Sequence, residues 1–187
     1  MITEIRQELK ESADSRGRLT GMAPLIAEAA QAIIACLRDG GKILIAGNGG
    51  SASQASHMAG ELVGRYLQER KGIPAISLST DTAVLTAWSN DYSFEQVFER
   101  QVEALGKAED VFLGISTSGD SSNIVRALQK AKEQGMTTIA LLGRDGGKAK
   151  GLAEKEMIVP LDATPRIQEG HLLIIHILCR LIEEAMA

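Results

Sequence analysis

Aromatic side chains are scarce in this chain, and it has no excess of positive charge. Only 3% of the 187 residues are aromatic, so the sequence offers no platform of rings on which nucleic-acid bases could stack. The 20 Lys and Arg residues are outnumbered by 24 Asp and Glu residues, which gives a formal net charge of -4. This balance argues against a nucleic-acid-binding protein that uses a broad basic surface. We therefore predict no nucleic-acid partner.

Cysteine and long apolar runs are sparse as well. Cys36 and Cys179 are the two cysteines, neither belongs to a CxxC pair, and each lies in an apolar, helix-like run. We predict that both are buried free thiols. The N-terminus does not resemble a signal peptide, and no run approaches the roughly 20 apolar residues of a membrane span. A cytoplasmic protein with no membrane partner is the expectation.

Short apolar runs alternate with helical segments along the chain. Strands are predicted near residues 42–46, 73–78, 111–116, 136–142 and 156–160, with helices between them and a last helix over 165–185. This alternation predicts an α/β fold, namely a doubly wound, flavodoxin-like parallel sheet of about five strands in a single domain over residues 1–187. The first forty residues are helical, and these extra N-terminal helices are not needed to cover one sheet. We expect them to lie in contacts between subunits.

The loop after the third predicted strand is rich in hydroxyl groups. Residues 116–121, here called the phosphate loop, have the sequence STSGDS and precede a helix. Hydroxyl groups and free N–H groups at a helix N-terminus can hold an anion, although an ordinary polar turn has the same composition. The loop has no Lys or Arg, and the GK[ST] ending of a P-loop is absent. Asp120 would repel a phosphate, so we expect it to face solvent or to cap a helix N–H.

A glycine-rich turn, GNGGS over residues 47–51, follows the first predicted strand. Glycine allows the positive φ angles that let a backbone approach a ligand closely, but simple chain reversal explains the turn equally well. The turn is not the GxGxxG fingerprint of dinucleotide-binding proteins, because its last two glycines are adjacent. Ser51 is predicted to cap the following helix.

The three histidines all lie in two predicted helices. His57 and Glu61 are four residues apart and share a helix face, which suits a metal-binding pair but is equally common on plain surfaces. His176 lies in the most apolar run of the chain, where an unpaired imidazole would cost about 1–3 kcal/mol. His171 is predicted either to support the metal ligands from outside or to be a packing residue, and packing is the simpler of the two.

Taken in order, these motifs resemble the phosphoheptose isomerases of the sugar-isomerase (SIS) domain class over nearly the whole chain. The motifs that carry the resemblance are AGNGGSAS at 46–53, His57 with Glu61, SNDY at 89–92, the phosphate loop, LGRDGG at 142–147, and RIQE at 166–169 with His176. The HxxxE and RIQE…H combination is the most specific of them. Two departures are Asp120, where the family usually has Asn, and Gln54-Ala55-Ser56, where Asp-Ala-x is commoner.

The resemblance implies an aldose–ketose isomerase that converts sedoheptulose 7-phosphate to D-glycero-D-manno-heptose 7-phosphate, towards ADP-heptose for the lipopolysaccharide core. It also implies zinc and a homotetramer. By position, the zinc ligands would be His57, Glu61, Gln168 and His176. The substrate would be bound by Ser116, Thr117, Ser118 and Ser121 at its phosphate, and by Asn48, Gly49, Gly50, Asn90 and Asp91, with Glu61 and Gln168, along the sugar.

An isomerisation of this kind moves a proton between adjacent carbons through an enediol and needs a base and an acid. We assign Glu61 as the base and His176 as the acid or ring-opening group. Gln168 and His176 are eight residues apart, which on one helix is about 12 Å of rise and about 80° of rotation. Either Gln168 precedes the regular helix or the two ligands come from different subunits, so an active site near a subunit interface is predicted.

Two other readings of the sequence stay open. A non-catalytic SIS protein that binds the replication initiator would not need His57, Glu61, Gln168 and His176 together. An isomerase of another sugar phosphate, such as a hexose or pentose, would keep the same motifs. Zinc content separates an enzyme from a scaffold, and a substrate panel separates the sugars.

Overall fold

Five parallel strands form one sheet in the computed structural model, which describes all residues from 1 to 187. The strands are β1 Ile43–Gly47, β2 Ala75–Ser77, β3 Val111–Ser116, β4 Thr137–Gly143 and β5 Lys155–Val159. Their order in the sheet is β2-β1-β3-β4-β5, with every neighbouring pair parallel. The predicted flavodoxin-like sheet is therefore confirmed, and the strand limits agree with the sequence pattern to within about two residues.

Seven α-helices alternate with these strands or precede them. They are α1 Ile2–Gly17, α2 Ala23–Arg38, α3 Gly50–Val63, α4 Thr82–Asp91, α5 Val97–Leu105, α6 Ser122–Glu133 and α7 Thr164–Met186. Short 3₁₀ turns cover Arg18–Met22, Phe94–Gln96 and Gly147–Ala149. The predicted last helix over 165–185 corresponds to α7.

The two faces of the sheet bury separate apolar clusters. Ile43 and Ile45 of β1 pack on one face with side chains of α2, α3 and α7. Leu44 and Ala46 of the same strand pack on the other face with side chains of α5 and α6. Because both faces are covered, the strands are continuous apolar runs without the alternation of a half-exposed sheet.

One of the two N-terminal helices, α2, does not behave as expected from the sequence. On α2, side chains such as Ile26, Ala29 and Ile33 are buried in the main core, so this helix does cover the sheet and the prediction that it is dispensable was wrong. On α1, Ser12 alone is buried, and Ile2, Ile5 and Leu9 are exposed. An apolar stripe thus remains open on α1, where a subunit contact stays a prediction.

The N-terminal helical stretch also contains a window that passes a membrane-span test by length and composition. Within Ile2–Arg38, 18 residues have a mean hydropathy of 1.5, and 39% of that window is buried. The sequence-based expectation that no run approaches a span was therefore too strict. The buried apolar face of α2 explains the hydropathy, because core helices of folded domains have the same composition.

Two smaller expectations have different outcomes. Ser51 does not cap α3, because that helix already begins at Gly50 and Gly49 is its N-cap residue. Cys36 and Cys179 are buried free thiols, as predicted. Burial raises the pKa of the Cys36 thiol to about 11 and that of the Cys179 thiol to about 12, so both stay protonated near neutral pH.

Candidate active site

The glycine-rich turn and the phosphate loop lie side by side at the carboxyl edge of the sheet. They follow β1 and β3, which are adjacent strands with Gly47 opposite Ile115. Strand order reverses here, which is where doubly wound sheets usually bind ligands. The amide groups of Asn48 and Asn123 join the two loops, since each Nδ2 donates to the other's Oδ1 at 2.8 and 2.9 Å. The Asn48 amide predicted to contact sugar is thus already paired with α6.

The phosphate loop is held in shape by its own hydroxyl groups. Ser116 is buried, its Oγ accepts the Gly119 N–H at 3.1 Å, and it lies 3.1 Å from Ser121 Oγ. Ser118 Oγ accepts the Asp120 N–H at 3.1 Å. No side chain caps α6, so its first N–H groups point out of the helix without a protein side-chain partner. The loop therefore combines an open helix N-terminus with neutral donors, which suits an anion.

Gly119 and Asp120 fix the phosphate loop against the next loop of the sheet. Gly119 has φ +71°, and a Cβ there would collide with the carbonyl oxygen of Gly146. Asp120 is exposed and its Oδ1 accepts the Lys148 N–H at 3.2 Å, at the start of the 3₁₀ turn after β4. The expectation that Asp120 faces solvent or caps a helix N–H is confirmed. Its carboxylate is turned away from the loop's donors towards this turn.

His57 of α3 and His176 of α7 face each other across the two helices. Their Nε2 atoms are 2.9 Å apart and their ring centroids 5.1 Å apart. Glu61, one turn beyond His57, has its Oε1 3.4 Å from His57 Nε2. His57 is exposed, and Glu61 and His176 are half-buried. We call His57, Glu61 and His176 the histidine cluster.

The donor atoms of the histidine cluster have separations that suit a zinc ion. With Zn–N distances of about 2.0–2.1 Å and tetrahedral angles, two ligand atoms lie about 3.3–3.4 Å apart. The 3.4 Å between Glu61 Oε1 and His57 Nε2 matches that value, whereas the two Nε2 atoms, 2.9 Å apart, are at hydrogen-bond distance and would have to move slightly apart. Imidazole nitrogen and carboxylate oxygen are also the donor types that zinc takes. Within one chain, however, no group of three His, Cys, Asp or Glu side chains is arranged to hold a metal by itself.

Gln168, the fourth predicted ligand, lies inside α7, in its second turn. The first option in the geometric argument, that Gln168 precedes the helix, was therefore wrong. Its side chain lies over the glycine-rich turn, so closely that a Cβ on Gly50 would collide with it. Its backbone oxygen accepts the Gln54 Nε2–H at 2.7 Å. Gly50 and Gln168, both predicted as substrate contacts, are thus brought together.

Asn90 and Asp91 form no side-chain hydrogen bond to the other predicted site residues. They end α4, are exposed, and have a hydrogen bond only to each other, Asn90 Nδ2 donating to Asp91 Oδ1 at 2.8 Å. No residue of α4 is buried. An open groove of about 660 Å³ lies between α4, α5 and the end of β2, and its lining includes neither Asn90 nor Asp91 and no residue of the histidine cluster or the phosphate loop.

His171 is a core residue, as predicted. Its side chain is fully buried, and its Nε2 lies 2.9 Å from the Leu142 carbonyl oxygen at the end of β4, so Nε2–H donates. Burial lowers the pKa of His171 to about 4, partly offset by that hydrogen bond. The imidazole is neutral at physiological pH and supports the strand that precedes the 143–147 loop.

Three contacts near the site escape sequence reasoning. They are the Asn48–Asn123 pair, the stacking of Tyr66 on His176 with centroids 5.8 Å apart, and the buried Arg70–Glu183 ion pair. The partners are 75 to 113 residues apart in the chain. Asn123 at the start of α6, two residues after the phosphate loop, is the one position that the sequence could have marked.

Comparison with known proteins identifies relatives over the whole chain. The SIS-domain family model matches residues 12–143. A phosphoheptose isomerase from Helicobacter pylori strain P12 is 56% identical over 182 residues, which are 97% of this chain and 92% of the relative.

Two solved structures share the fold in detail. The phosphoheptose isomerase from Neisseria gonorrhoeae has a TM-score of 0.91 at 42% identity, over 98% of this chain and 100% of that chain. The phosphoheptose isomerase from Francisella tularensis has a TM-score of 0.94 at 40% identity, over 98% of both chains.

Proposed function

The chain belongs to the phosphoheptose isomerase family of SIS-domain proteins, and from this premise we propose that it converts sedoheptulose 7-phosphate to D-glycero-D-manno-heptose 7-phosphate. The product serves ADP-heptose formation for the lipopolysaccharide core. The observation that carries the proposal is the presence of two kinds of site in one fold. These are an anion-binding loop without fixed charge and a cluster of two imidazoles with one carboxylate.

The phosphate group of the substrate occupies the phosphate loop in this proposal. Thr117 and Ser118 are half-buried. Together with the open N–H groups of α6, they donate to a phosphate monoester. Ser116 and Ser121 act on the phosphate from within the loop, whose shape they set through their hydroxyl contact.

Glu61 and His176 move the protons of the isomerisation. Glu61 removes a proton from the carbon next to the ketose carbonyl, which gives an enediol. The proton is then added to the former carbonyl carbon, which gives the aldose. His176 protonates or deprotonates the sugar oxygens and assists ring opening. The 3.4 and 2.9 Å separations bring Glu61 and His176 to the same imidazole, so both groups face one small volume.

Zinc is the metal that fits this donor set, held by His57, Glu61 and His176 with Gln168 as the fourth ligand. A zinc ion would polarise the oxygens on the two reacting carbons as a Lewis acid and so stabilise the charge of the enediolate. The fit rests on the donor types and their separations. The Gln168 side chain lies on Gly50 and would have to turn towards the cluster.

We further propose a cytoplasmic homotetramer with its active site at or near a subunit interface. Three observations support this: no three His, Cys, Asp or Glu side chains of the single chain are arranged to hold a metal, the side chains of Asn90 and Asp91 bond only to each other, and α1 exposes an apolar stripe. A catalytically active monomer, established by size-exclusion chromatography and assay on the same sample, would contradict the interface.

The experiment that tests the function is a panel of ketose phosphates with five, six and seven carbons, assayed for conversion to the aldose. Turnover of sedoheptulose 7-phosphate well above the others supports the proposal. Preference for a pentose or hexose phosphate would make the chain an isomerase of a different sugar. No turnover at all, with a tight complex with the replication initiator, would make it a non-catalytic SIS protein.

A further inference from the structure

Arg70 and Glu183 form the one ion pair of the chain in which both side chains are buried. Arg70 Nε donates to Glu183 Oε1 at 3.1 Å, and the two side chains are 2% and 1% exposed. Burying two charges costs desolvation, and a well-packed apolar pair often stabilises a fold just as well. Stability alone is therefore a weak reason for this pair to be charged.

Glu183 holds an irregular segment that follows α3. Its two carboxylate oxygens accept the backbone N–H groups of Tyr66, Leu67 and Gln68 at 2.9, 2.8 and 3.1 Å. Burial raises the pKa of Glu183, but these hydrogen bonds and Arg70 outweigh burial, and the pKa lies below its ordinary value. The carboxylate is therefore charged at neutral pH and binds the segment by charge-assisted hydrogen bonds.

Arg70 holds the end of α3 itself. Its guanidinium donates to the carbonyl oxygens of Glu61 and Leu62, both at 2.8 Å, and to that of Gly64 at 3.2 Å. The last carbonyls of a helix have no partner inside it, and Arg70 takes two of them. One of these belongs to Glu61, whose side chain is in the histidine cluster.

The pair thus connects the two helices of the histidine cluster. His57 and Glu61 lie on α3, whereas His176 and Glu183 lie on α7, seven residues apart and on nearly the same face, with about 10.5 Å of rise between them. Tyr66, whose N–H is held by Glu183, stacks its ring on the imidazole of His176 at a 29° angle. The same carboxylate therefore fixes the ring that orients His176.

We propose that Arg70 and Glu183 are positioning residues of the isomerase site, which set the distance from His57 and Glu61 to His176 and hold Tyr66 against His176. The inference rests on the proposed function, in which these three side chains bind a metal and move protons. Substitution of a residue that orients a metal ligand typically lowers metal affinity or turnover by about ten- to a hundredfold.

The test compares Glu183→Gln with Asp110→Asn, a matched control whose side chain has no hydrogen bond to α3 or α7. Asp110 likewise pairs with a cation, Lys42, and accepts the N–H groups of Lys42 and Lys107 at 2.9 Å, next to the amino ends of β1 and β3. Three quantities are measured on the full chain: the Zn²⁺ dissociation constant by chelator competition, kcat, and the dissociation constant of inorganic phosphate.

Glu183→Gln is expected to weaken Zn²⁺ binding and lower kcat, each by about ten- to a hundredfold, with phosphate binding unchanged. Asp110→Asn is expected to lower the melting temperature but to leave Zn²⁺ affinity and kcat within about twofold of the wild type. A folded Glu183→Gln variant with wild-type Zn²⁺ affinity and kcat overturns the inference.

Arg70→Lys is the second variant, for the case in which Glu183→Gln does not fold. Lysine keeps the charge beside Glu183 but cannot bond the Glu61 and Leu62 carbonyls with one planar group. Weaker Zn²⁺ binding and lower kcat support the inference, and unchanged values overturn it. If the wild type binds Zn²⁺ but has no isomerase activity, the proposed function is contradicted. The Zn²⁺ dissociation constants of the variants and the wild type still decide the positioning role in that case.

Discussion

The phosphate loop lies at the carboxyl edge of the sheet, whereas the histidine cluster lies between α3 and α7, and the two are built in different ways. The phosphate loop is formed by consecutive residues, uses neutral hydroxyl and N–H groups, and is hydrogen-bonded to itself and to the 146–148 turn. The histidine cluster joins residues up to 119 positions apart, and its separations are set by how α3 packs on α7. The groups of the phosphate loop are therefore all present in consecutive residues of one chain, whereas the arrangement of the histidine cluster depends on tertiary, and in our proposal quaternary, structure.

This difference predicts that changes at one end leave the other intact. Damage to the histidine cluster should stop turnover without releasing phosphate, and damage to the phosphate loop should weaken substrate binding with less effect on the chemical step. Substitutions of Glu61, Gly119 and Thr117 separate the two ends.

The largest effect is expected for Glu61→Gln. The amide cannot accept the substrate proton, so kcat should fall by about 10²–10⁴-fold, while inorganic phosphate binds as in the wild type. Steady-state kinetics and calorimetry measure the two quantities. Glu69→Gln is the control, because Glu69 is an exposed carboxylate that pairs with Arg65 on the surface. Near-normal turnover of Glu61→Gln with metal bound would rule out Glu61 as the base.

Gly119→Ala should affect the phosphate end next most strongly. The left-handed φ of +71° costs a side chain about 1–2 kcal/mol, and the collision with Gly146 adds about 1–3 kcal/mol. We expect this loss in the free energy of unfolding, together with weaker phosphate binding. Gly135→Ala is the matched control, since Gly135 has φ +78° but only an ordinary 3.5 Å contact with Ala108. Equal phosphate affinity in the two variants would show that the Gly119–Gly146 contact does not shape the site.

Thr117→Val should have a smaller effect, confined to binding. It removes one hydroxyl of similar size, and a hydrogen bond to a charged group contributes about 1.5–3 kcal/mol, so KM should rise by about tenfold or more. The value of kcat should change by less than about twofold. Thr20→Val, an exposed threonine that bonds the Gly17 carbonyl, is the comparison. A fall in kcat with KM unchanged would indicate that Thr117 acts in the chemical step and not in phosphate binding.

The smallest effect at neutral pH concerns His171, which lies outside both ends. Its folded-state pKa of about 4 is below the ordinary 6.5, so the unfolded chain binds the proton more readily between these values. The stability contribution is complete above pH 6.5 and falls by roughly 3 kcal/mol towards pH 4. Urea unfolding across this range should show a shallower pH dependence for His171→Asn. Identical slopes in the two proteins would contradict the neutral, buried imidazole.

The parts of the molecule that depend on consecutive residues were predictable from the sequence. The strand and helix limits, the sheet, the phosphate loop and the outward role of Asp120 follow from apolar runs, turn residues and local hydrogen bonding. The position of Gln168 was harder to predict, because its spacing from His176 did not decide whether it lies inside α7 or before it. The role of α2 depends on packing against α7 and β5, which periodicity does not reveal.

Long-range polar pairs were out of reach for a physical reason. Arg70 and Glu183 are separated by 113 residues, and each is an ordinary charged residue in its local sequence. The folded structure brings the two residues together and buries them away from water. The ion pair therefore connects α3 with α7, although each residue has the sequence context of an ordinary surface residue. The same holds for Asn48 and Asn123, which link the two loops of the site.

The central claim is that one end of the site binds phosphate and the other performs the isomerisation with a bound metal. The direct test is to remove divalent metal with a chelator and measure both isomerase activity and inorganic phosphate binding on the same protein. We predict that activity is lost and returns with Zn²⁺, while the phosphate dissociation constant does not change. Full activity after complete metal removal, or loss of phosphate binding with the metal, would contradict the account.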